Sequence, residues 1–229
     1  MGMQLTLLGT GTPNPSLERA GSSHLLEIGN DLVLLDCGPG SYVRFLQTGR
    51  SLTDITHIIF SHFHYDHCAD LASFALARWD QSAGRFPDVK IFGPTHVKAL
   101  MSSLFSPEGA FGPDQKARTE HPASLGYFHA RGGEGARTPF SPVVTELASG
   151  DQINKEGRGW QFRCVEVPHV QPHLSNLAFR FDDGTNSFCY SGDTSYSDAF
   201  VELGRDCDLL LHMCHRISGT ELTKAGQSS

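Results

Sequence analysis

Several features of membrane and repeat proteins are missing from this sequence of 229 residues. It contains no run of about 18 apolar residues, the length that a membrane-spanning helix needs, and no basic N-terminal segment followed by an apolar stretch, as in secretory signals. We therefore expect a cytoplasmic protein that does not insert into membranes. The sequence also shows no long internal repeat and no low-complexity tail, which argues against a repeat architecture.

Cysteine pairs with C-x-x-C spacing are also missing, and this spacing is typical of zinc ribbons and dithiol redox sites. The six cysteines are scattered, so we expect most of them to be reduced and to act as small buried apolar side chains. Hydrophobic residues make up 39% and charged residues 19% of the sequence, which is ordinary for a globular protein. We expect one domain spanning residues 1–229.

Positive charge is scarce. The sequence has 18 Lys and Arg against 25 Asp and Glu, which gives a formal net charge of −7, and the basic residues form no stripe that could follow a phosphate backbone. This balance disfavours nucleic acid as a partner, although metal ions can offset acidic charge locally. We therefore expect a small-molecule substrate.

The strongest positive signal is a cluster of metal-binding side chains directly after the apolar run His57–Phe60. Imidazole nitrogens and carboxylate oxygens are the ligands that two-metal hydrolases use. The cluster supplies four such groups within six residues: His62, His64, Asp66 and His67. A solvated, histidine-rich loop is the alternative interpretation, but this combination at this spacing rarely arises by chance. We therefore predict a metal site here.

The cluster matches the motif H-x-H-x-D-H and resembles that of the metallo-β-lactamase-fold hydrolases. The resemblance extends over nearly the whole sequence. It looks closest to the branch that includes ribonuclease Z and related phosphodiesterases, because Leu7–Pro13 and Leu34–Gly40 resemble that branch's first strand turn and its Asp-containing turn. His169, after a largely apolar run, matches the third histidine of the family's first metal site. Asp193 matches the carboxylate that bridges both metals.

This resemblance implies a binuclear centre. Its ligands would be His62, His64 and His169 at one ion, and Asp66, His67 and Asp193 at the other. The same resemblance assigns Asp66 and Asp193 to catalysis. Two Zn²⁺ ions are the leading choice, with Mn²⁺ or Fe as alternatives. Asp36 resembles the family's supporting acid, which orients a ligating histidine through its free ring nitrogen; capping of the adjacent Gly-Pro-Gly turn is the alternative role.

The activity implied by the resemblance is metal-dependent hydrolysis by a hydroxide that bridges the two ions. We favour phosphodiester or related phosphoric ester bonds of a small molecule. Hydrolysis of a carboxylic ester, lactone or thioester is an alternative, because the fold and the metals do not choose between phosphorus and carbon electrophiles. Family members often form dimers, so a homodimer is one assembly that we consider.

One departure from the family pattern concerns the second metal site. The family completes that site with a last histidine after a further helix and strand, whereas only His212 and His215 follow Asp193 here. We expect either that the sandwich lacks this C-terminal helix and strand, or that solvent, His215 or a partner chain completes the site. Met213 replaces the acid of the branch's His-Glu pair, which leaves the general acid open between His173 and His215. A non-catalytic metal-binding protein is therefore a third alternative.

The pattern of apolar residues and turn signals predicts many short strands separated by helices. The strand-like runs are Gln4–Leu8, His24–Ile28, Leu32–Asp36, His57–Ser61, Lys90–Phe92, Trp160–Val167, Leu177–Phe181, Ser187–Ser191 and Asp208–His212. An apolar face at helical spacing predicts a helix from Thr95 onward, and another helix is expected from near Ser195 or Ser197 to Gly204. The resemblance turns this α/β pattern into a four-layer αββα sandwich.

The segment at about 106–141 is rich in Gly, Pro and Arg and shows no sustained periodicity. We predict a loop-rich insertion, formed by a long loop or by short helices. Its aromatic and histidine side chains either line a substrate pocket or face solvent: Phe111, His121, Tyr127, Phe128 and His129.

Overall fold

The computed structural model describes residues 2–155 and 159–214 and contains two β-sheets. The strands of the first sheet are β1 (Gln4–Gly9), β2 (Ser23–Ile28), β3 (Asp31–Leu35), β4 (Ile55–Ile59), β5 (Lys90–Gly93) and β6 (Val143–Glu146). They lie in chain order across the sheet. The pairs β1–β2 and β2–β3 are antiparallel, and the pairs from β3 to β6 are parallel.

The second sheet contains β7 (Gln152–Lys155), β8 (Trp160–Glu166), β9 (Leu177–Asp182), β10 (Ser187–Tyr190) and β11 (Leu209–Leu211). Their order across the sheet is β11-β10-β9-β8-β7. Neighbouring strands are antiparallel except β10 and β11, which are parallel. A parallel pair needs a crossover connection, and a helix between β10 and β11 supplies it.

The helices are α1 (Ser41–Gln47), α2 (Tyr65–Cys68), α3 (Leu71–Ser82), α4 (Val97–Phe105), α5 (Gly112–Glu120), α6 (Pro122–Ala130) and α7 (Asp198–Leu203), with a 3₁₀ turn at Leu52–Asp54. Helices α1, α3 and α4 bury apolar side chains against the outer face of the first sheet. Helix α7 does the same on the second sheet through Phe200 and Leu203. The four layers form the αββα sandwich that the family resemblance implied.

Strand β3 packs against a different layer of the fold on each of its two faces. Successive side chains of a strand point to opposite faces, so an all-apolar strand can pack on both. Leu32 and Leu34 lie in the core beneath the helices, whereas Val33 and Leu35 lie in the core between the sheets. The uninterrupted apolar run of this strand therefore follows from its burial on both sides.

The core between the two sheets is rich in aromatic rings. Phe162 on β8 is fully buried, and its ring centroid lies 5.5 Å from those of Phe92 and Phe181 and 6.1 Å from that of Phe179. Close aromatic pairs of this kind contribute roughly 0.5–1.5 kcal/mol each beyond their buried area. They fix the spacing of the sheets, and hence of the loops at the sheet ends.

The strands that the sequence indicates are all present, with ends shifted by one or two residues. The structure adds two strands that the sequence analysis missed, β6 and β7. The helix expected from Thr95 is α4, and the helix expected near Ser197 is α7, whose first turn is capped by the Ser197 side chain accepting a hydrogen bond from the Phe200 N–H.

Of the two forms considered for the insertion at about 106–141, a long loop or short helices, the structure has the short helices, because α5 and α6 occupy the middle of the segment. Salt bridges attach this segment to α3, because Asp80 on α3 pairs with Arg118 on α5, with Arg131 directly after α6 and with Arg137. Within the described part of the chain, no helix combines the length and apolar character that crossing a bilayer requires.

Candidate metal centre

The metal-binding cluster begins where strand β4 ends, at a point where the two sheets meet. The Phe60 N–H donates to the Phe92 carbonyl in the first sheet (2.9 Å), and the Ser61 carbonyl accepts from the Leu177 N–H in the second (2.9 Å). His64 then takes an extended conformation and starts helix α2. Because the backbone is bonded to both sheets, the histidine side chains start from a fixed frame.

Three histidine rings converge in the first group of candidate ligands. Nε2 of His62 and Nε2 of His169 each lie 3.1 Å from Nδ1 of His64, and one ligand atom from each ring falls within 4.8 Å of the others. A single ring nitrogen either donates or accepts one hydrogen bond, so Nδ1 of His64 cannot serve both neighbours well. A shared cation would satisfy all three nitrogens.

The ligands that are distant in sequence are brought together by hydrogen bonds between two loops. The Pro168 carbonyl, directly before His169, accepts from the Ser195 N–H (3.0 Å) and from the Thr194 hydroxyl (3.1 Å). Thr194 and Ser195 directly follow Asp193. The third histidine of the first group and the late aspartate are therefore held at the same end of the sandwich.

The second group consists of His62, His67 and Asp193. Nε2 of His67 lies 3.5 Å from Oδ1 of Asp193. Gly192 permits this approach: its φ is +57°, and a Cβ at this position would lie 2.8 Å from Cβ of Ser61. A larger residue would push the Asp193 loop away from the end of β4.

Asp66 lies beside the second group rather than inside it. Its Oδ2 is 3.8 Å from Nε2 of His67, whereas the resemblance had placed Asp66, His67 and Asp193 around one ion. The side chain is buried, and Oδ1 makes no hydrogen bond within the part of the chain that the structure describes. Gly38 allows the Asp66 backbone to pack closely, since a Cβ on Gly38 would meet the Asp66 carbonyl oxygen at 1.9 Å.

Asp36 supports the cluster from behind, and its carboxylate is fully buried. Oδ1 accepts from the Ser61 N–H (2.7 Å), and Oδ2 accepts from the Ser61 hydroxyl (2.7 Å) and the Tyr190 hydroxyl (2.6 Å). Oδ2 also lies 2.8 Å from Nδ1 of His67. This is the position from which a carboxylate fixes the orientation and tautomer of a ligating histidine.

The site combines neutral and charged imidazoles. Burial lowers the pKa of His62 to about 3 and also lowers that of His169, so both rings are neutral at pH 7. Burial opposes protonation of His67 too, but Asp36 and Asp193 outweigh it and raise the pKa of His67 to about 10. His67 in turn overcomes the effect of burial on Asp193 and holds the pKa of that carboxyl at about 2.

These residues fit a binuclear metal centre. The donor set consists of imidazole nitrogens and carboxylate oxygens, which suits zinc and also admits manganese or iron. A cation would satisfy the buried oxygen of Asp66, which has no partner among the described residues, and Nδ1 of His64, which faces two ring nitrogens. Metal at the second group requires His67 to lose its proton, so binding there releases a proton.

A cavity of about 270 Å³ opens at the second group and is bordered by Asp66, His67 and Asp193. Its other walls come from the β1–β2 loop and from Leu211–Cys214. Among the lining residues, Arg19 is the only Lys or Arg. The cavity therefore presents one positive side chain next to the candidate metal ligands.

Neither His173, one of the two residues considered as general acid, nor the histidines of the insertion line this cavity. His173 is exposed and is absent from the lining residues, as are His121 and His129 of the insertion. His212 does line the cavity, with Nδ1 2.6 Å from the Met213 carbonyl. His215 lies outside the described residues.

Two residues that matter to the centre were missed as site residues. Ser61 and Tyr190 both donate hydroxyl hydrogen bonds to Asp36. The signal for Ser61 is its place directly before His62. Tyr190 could have been identified because it is the last residue of β10, faces the core between the sheets and is followed closely by Asp193.

Comparison with known proteins shows the family to which this fold belongs. The sequence model of the Metallo-beta-lactamase superfamily matches residues 17–225, most of the chain. The chain belongs to this superfamily. The Ribonuclease Z of Mycobacterium bovis (strain BCG / Pasteur 1173P2) is a relative with 28% identity over 211 residues, covering 92% of this chain and 69% of the relative. The Ribonuclease Z of Mycobacterium sp. (strain KMS) is 28% identical over 221 residues, covering 96% and 71%.

Solved structures of the superfamily share the fold. The metallo-beta-lactamase fold protein YhfI from Bacillus subtilis matches with a TM-score of 0.67 and 19% identity, over 91% of this chain and 70% of that one. The short form of human tRNase Z matches with a TM-score of 0.62 and 22% identity, over 90% and 76%. A diphosphatase from the PhnP family matches with a TM-score of 0.59 and 19% identity, over 91% and 72%. At these identities the likeness concerns the fold.

Proposed function

We propose that this protein is a metal-dependent hydrolase of phosphodiester bonds. The observation that carries the proposal is the convergence of His62, His64, His169, His67 and Asp193 into two ligand groups that share one imidazole. Support also comes from relatives named Ribonuclease Z and from a structural neighbour named as a diphosphatase. A protein that only stores metal would not need a cavity beside the ligands.

The metal ions would be held by the two ligand groups, with Zn²⁺ as the first candidate and Mn²⁺ or Fe as alternatives. When bound, such ions lower the pKa of water from about 15.7 towards about 7 and stabilise negative charge on phosphate oxygens. The protein supplies the side chains that hold these ions. His62 and His169 are already neutral, so they can ligate at pH 7 without losing a proton.

Two side chains of the cavity have roles that follow from their chemistry. Arg19 is the only Lys or Arg among the described residues that line the cavity, and it can donate hydrogen bonds to the non-bridging oxygens of a phosphate. Asp66 offers a buried carboxylate oxygen without a partner among the described residues, which suits it to hold and orient the attacking water. The preference for an anionic substrate over a neutral ester rests on Arg19.

The proposed substrate is either a small phosphodiester or a longer nucleic acid. The net charge of −7 favours a small phosphodiester, whereas the relatives are named as ribonucleases, which weakens that expectation. A single arginine at the cavity offers few contacts to a long phosphate backbone. We therefore propose hydrolysis of phosphodiester bonds, and the substrate panel described next measures whether the substrate is short or long.

The test is a substrate panel on metal-stripped protein reloaded with Zn²⁺ or Mn²⁺. The panel contains bis(p-nitrophenyl) phosphate, p-nitrophenyl acetate, a lactone and a precursor tRNA. We expect turnover of phosphodiesters and loss of that turnover in His64→Ala. The matched control is His96→Asn, because His96 is exposed, lies outside the cavity lining and has a φ of +83° that asparagine tolerates. Turnover of the carboxylic ester or lactone alone would overturn the proposal.

A further inference from the structure

A second cavity adjoins the one at the metal centre. Its volume is also about 270 Å³, and the two cavities share Thr12, Pro13, Arg19 and Asp66 in their walls. Each volume lies near the lower end of the roughly 300–1,000 Å³ typical of small-molecule sites, so each suits one small group. A substrate that occupies both would place its two groups on either side of Arg19.

The most distinctive wall of the second cavity is the ring of Tyr65. This residue lies between His64 and Asp66 in the ligand cluster and does not line the first cavity. Its side chain is 58% exposed, although large aromatic side chains gain most from burial. The only hydrogen bond described for its hydroxyl is to the Pro13 carbonyl, at 2.5 Å.

A purely structural role for Tyr65 would be to attach the β1–β2 loop to helix α2. That role accounts for the hydroxyl but not for the exposed ring, and the loop is already ordered by its own hydrogen bonds. The Gly11 N–H donates to the Ala20 carbonyl (2.7 Å), and the Arg44 side chain donates to the Glu18 carbonyl (2.9 Å). The tether therefore has a second consequence: it holds an exposed aromatic face in one orientation beside the metal centre.

The other residues of the second cavity offer the apolar surface and the hydrogen-bonding groups that a nucleoside needs. Pro15 and Pro39 add apolar surface, and Thr12, Asn14 and Ser16 add groups that can form hydrogen bonds. A base stacks on an aromatic ring with little dependence on its identity, while a sugar needs polar partners. Arg19, common to both cavities, is positioned for the phosphate that joins such a group to the metal centre.

We propose that this second cavity binds a nucleoside group of the phosphodiester substrate, with Tyr65 as the surface on which the base stacks. The inference rests on the proposed function and deepens it, because it names the group attached to the phosphate. Tyr65 is then a specificity-determining residue and takes no part in bond cleavage. The enzyme would discriminate between diesters that differ only in whether they carry a nucleoside.

The kinetic test compares two diesters with the same leaving group, the p-nitrophenyl ester of thymidine 5′-phosphate and methyl p-nitrophenyl phosphate. We expect the metal-loaded protein to favour the nucleoside ester in kcat/KM by roughly five- to 150-fold, the range that stacking of one base supplies. In Tyr65→Ala this preference should disappear, so that the ratio of the two kcat/KM values falls to about one. Tyr65→Phe keeps the ring and should keep most of the preference.

The matched control is Tyr127→Ala, since Tyr127 is 69% exposed on α6 and lines neither cavity. It should behave as the unaltered protein. If Tyr65→Ala slows both diesters equally, Tyr65 acts on the metal centre or the fold and the inference is wrong. The inference is equally wrong if the nucleoside preference is absent, or persists without the ring.

A second readout does not depend on turnover. Saturation-transfer NMR of thymidine 5′-monophosphate with the metal-free protein should show transfer to the base protons, and Tyr65→Ala should abolish it. If the metal-loaded protein cleaves neither diester, the proposed function fails, and the NMR result still decides whether the cavity binds a nucleoside. If diesters are cleaved but the base receives no saturation, the cavity inference alone fails.

Discussion

Asp36 and His67 form the buried pair on which the second ligand group depends. Oδ2 of Asp36 lies 2.8 Å from Nδ1 of His67, and both side chains are almost completely excluded from solvent. Because Nδ1 donates its proton to the carboxylate, Nε2 is the nitrogen that faces Asp193. The acid thus selects which ring nitrogen is offered to a metal.

This pair leads to a prediction for metal affinity. Asp36→Asn keeps the shape of the side chain but removes its charge, so it holds His67 less firmly. Loss of such a supporting carboxylate typically weakens metal binding by about 10- to 100-fold. Competition with a chromogenic chelator measures the affinity. Asp54→Asn is the control, because Asp54 is exposed and only caps a 3₁₀ turn. An unchanged affinity in Asp36→Asn would contradict the assigned role.

The raised pKa of His67 predicts how the stability of the metal-free protein depends on pH. A pKa raised from 6.5 to about 10 on folding stabilises the native state fully below pH 6.5, and this stabilisation is lost as the pH rises through 10. The lowered pKa of Asp193 acts at the other end: its stabilisation is present above its ordinary pKa of 3.8 and is lost as the pH falls through about 2.

The free energy of unfolding of metal-stripped protein should therefore fall as the pH rises from about 6.5 to about 10. Urea denaturation at a series of pH values measures it. In His67→Gln the ionisable ring is gone, so this part of the pH dependence should disappear. Equal slopes in the two proteins would show that His67 does not carry the charge assigned to it.

Arg19 predicts a loss of substrate recognition without a loss of metal. Arg19→Gln should lower kcat/KM for bis(p-nitrophenyl) phosphate by about 10- to 100-fold, the effect of losing a hydrogen bond to a charged group. Metal content should stay the same, since Arg19 cannot ligate a cation. Arg50→Gln is the control, because Arg50 pairs with Glu27 and lines neither cavity. Unchanged kinetics in Arg19→Gln would remove the main support for an anionic substrate.

Phe162 tests the packing that sets the distance between the sheets. Phe162→Ala removes a fully buried ring from the aromatic core and should lower the free energy of unfolding by about 3–5 kcal/mol. Chemical denaturation measures the change. Tyr127→Ala removes an exposed ring and should alter stability by at most about 0.5 kcal/mol. Equal effects of the two substitutions would show that the inter-sheet core is not the main source of stability.

The sequence predicts all the interior strands and the edge strands β1 and β11, but it misses the edge strands β6 and β7. Interior strands such as β3 are buried on both faces, so their apolar runs are long and clear. Strands β6 and β7 lie at the ends of their sheets, where few side chains need burial. Val143 of β6 is 61% exposed, and β7 reads Gln-Ile-Asn-Lys. Pairing with a neighbour, rather than a local pattern, makes these residues strands.

The position of helix α5 in the insertion could not be predicted from the sequence for a related reason. Helix α5 buries only Gly112 and Gln115, so it has no apolar stripe to detect. Its position depends on contacts that are remote in sequence. The Gln115 side chain donates to the Phe105 carbonyl (2.8 Å) and accepts from the Phe140 N–H (3.0 Å). Such contacts exist only once the surrounding chain has folded.

In the candidate site, too, the residues that share a local pattern were predicted from it and the others were not. The candidate ligands at 62–67 can be recognised from their spacing alone, because they lie on one short turn. His169 and Asp193 were identified through the family resemblance, since no local pattern links them to that turn. The hydroxyls of Ser61 and Tyr190 were missed because their common partner, Asp36, becomes apparent only when three segments meet.

If distant imidazoles and carboxylates together hold two metal ions, His62 should be indispensable, because it belongs to both groups of candidate ligands. The measurement is elemental mass spectrometry of reconstituted, desalted protein. We predict one transition-metal ion for each of the two groups in the unaltered protein and in His96→Asn, and loss of both ions in His62→Ala. Unaltered protein without stoichiometric metal, or His62→Ala that retains a full complement, would contradict the account.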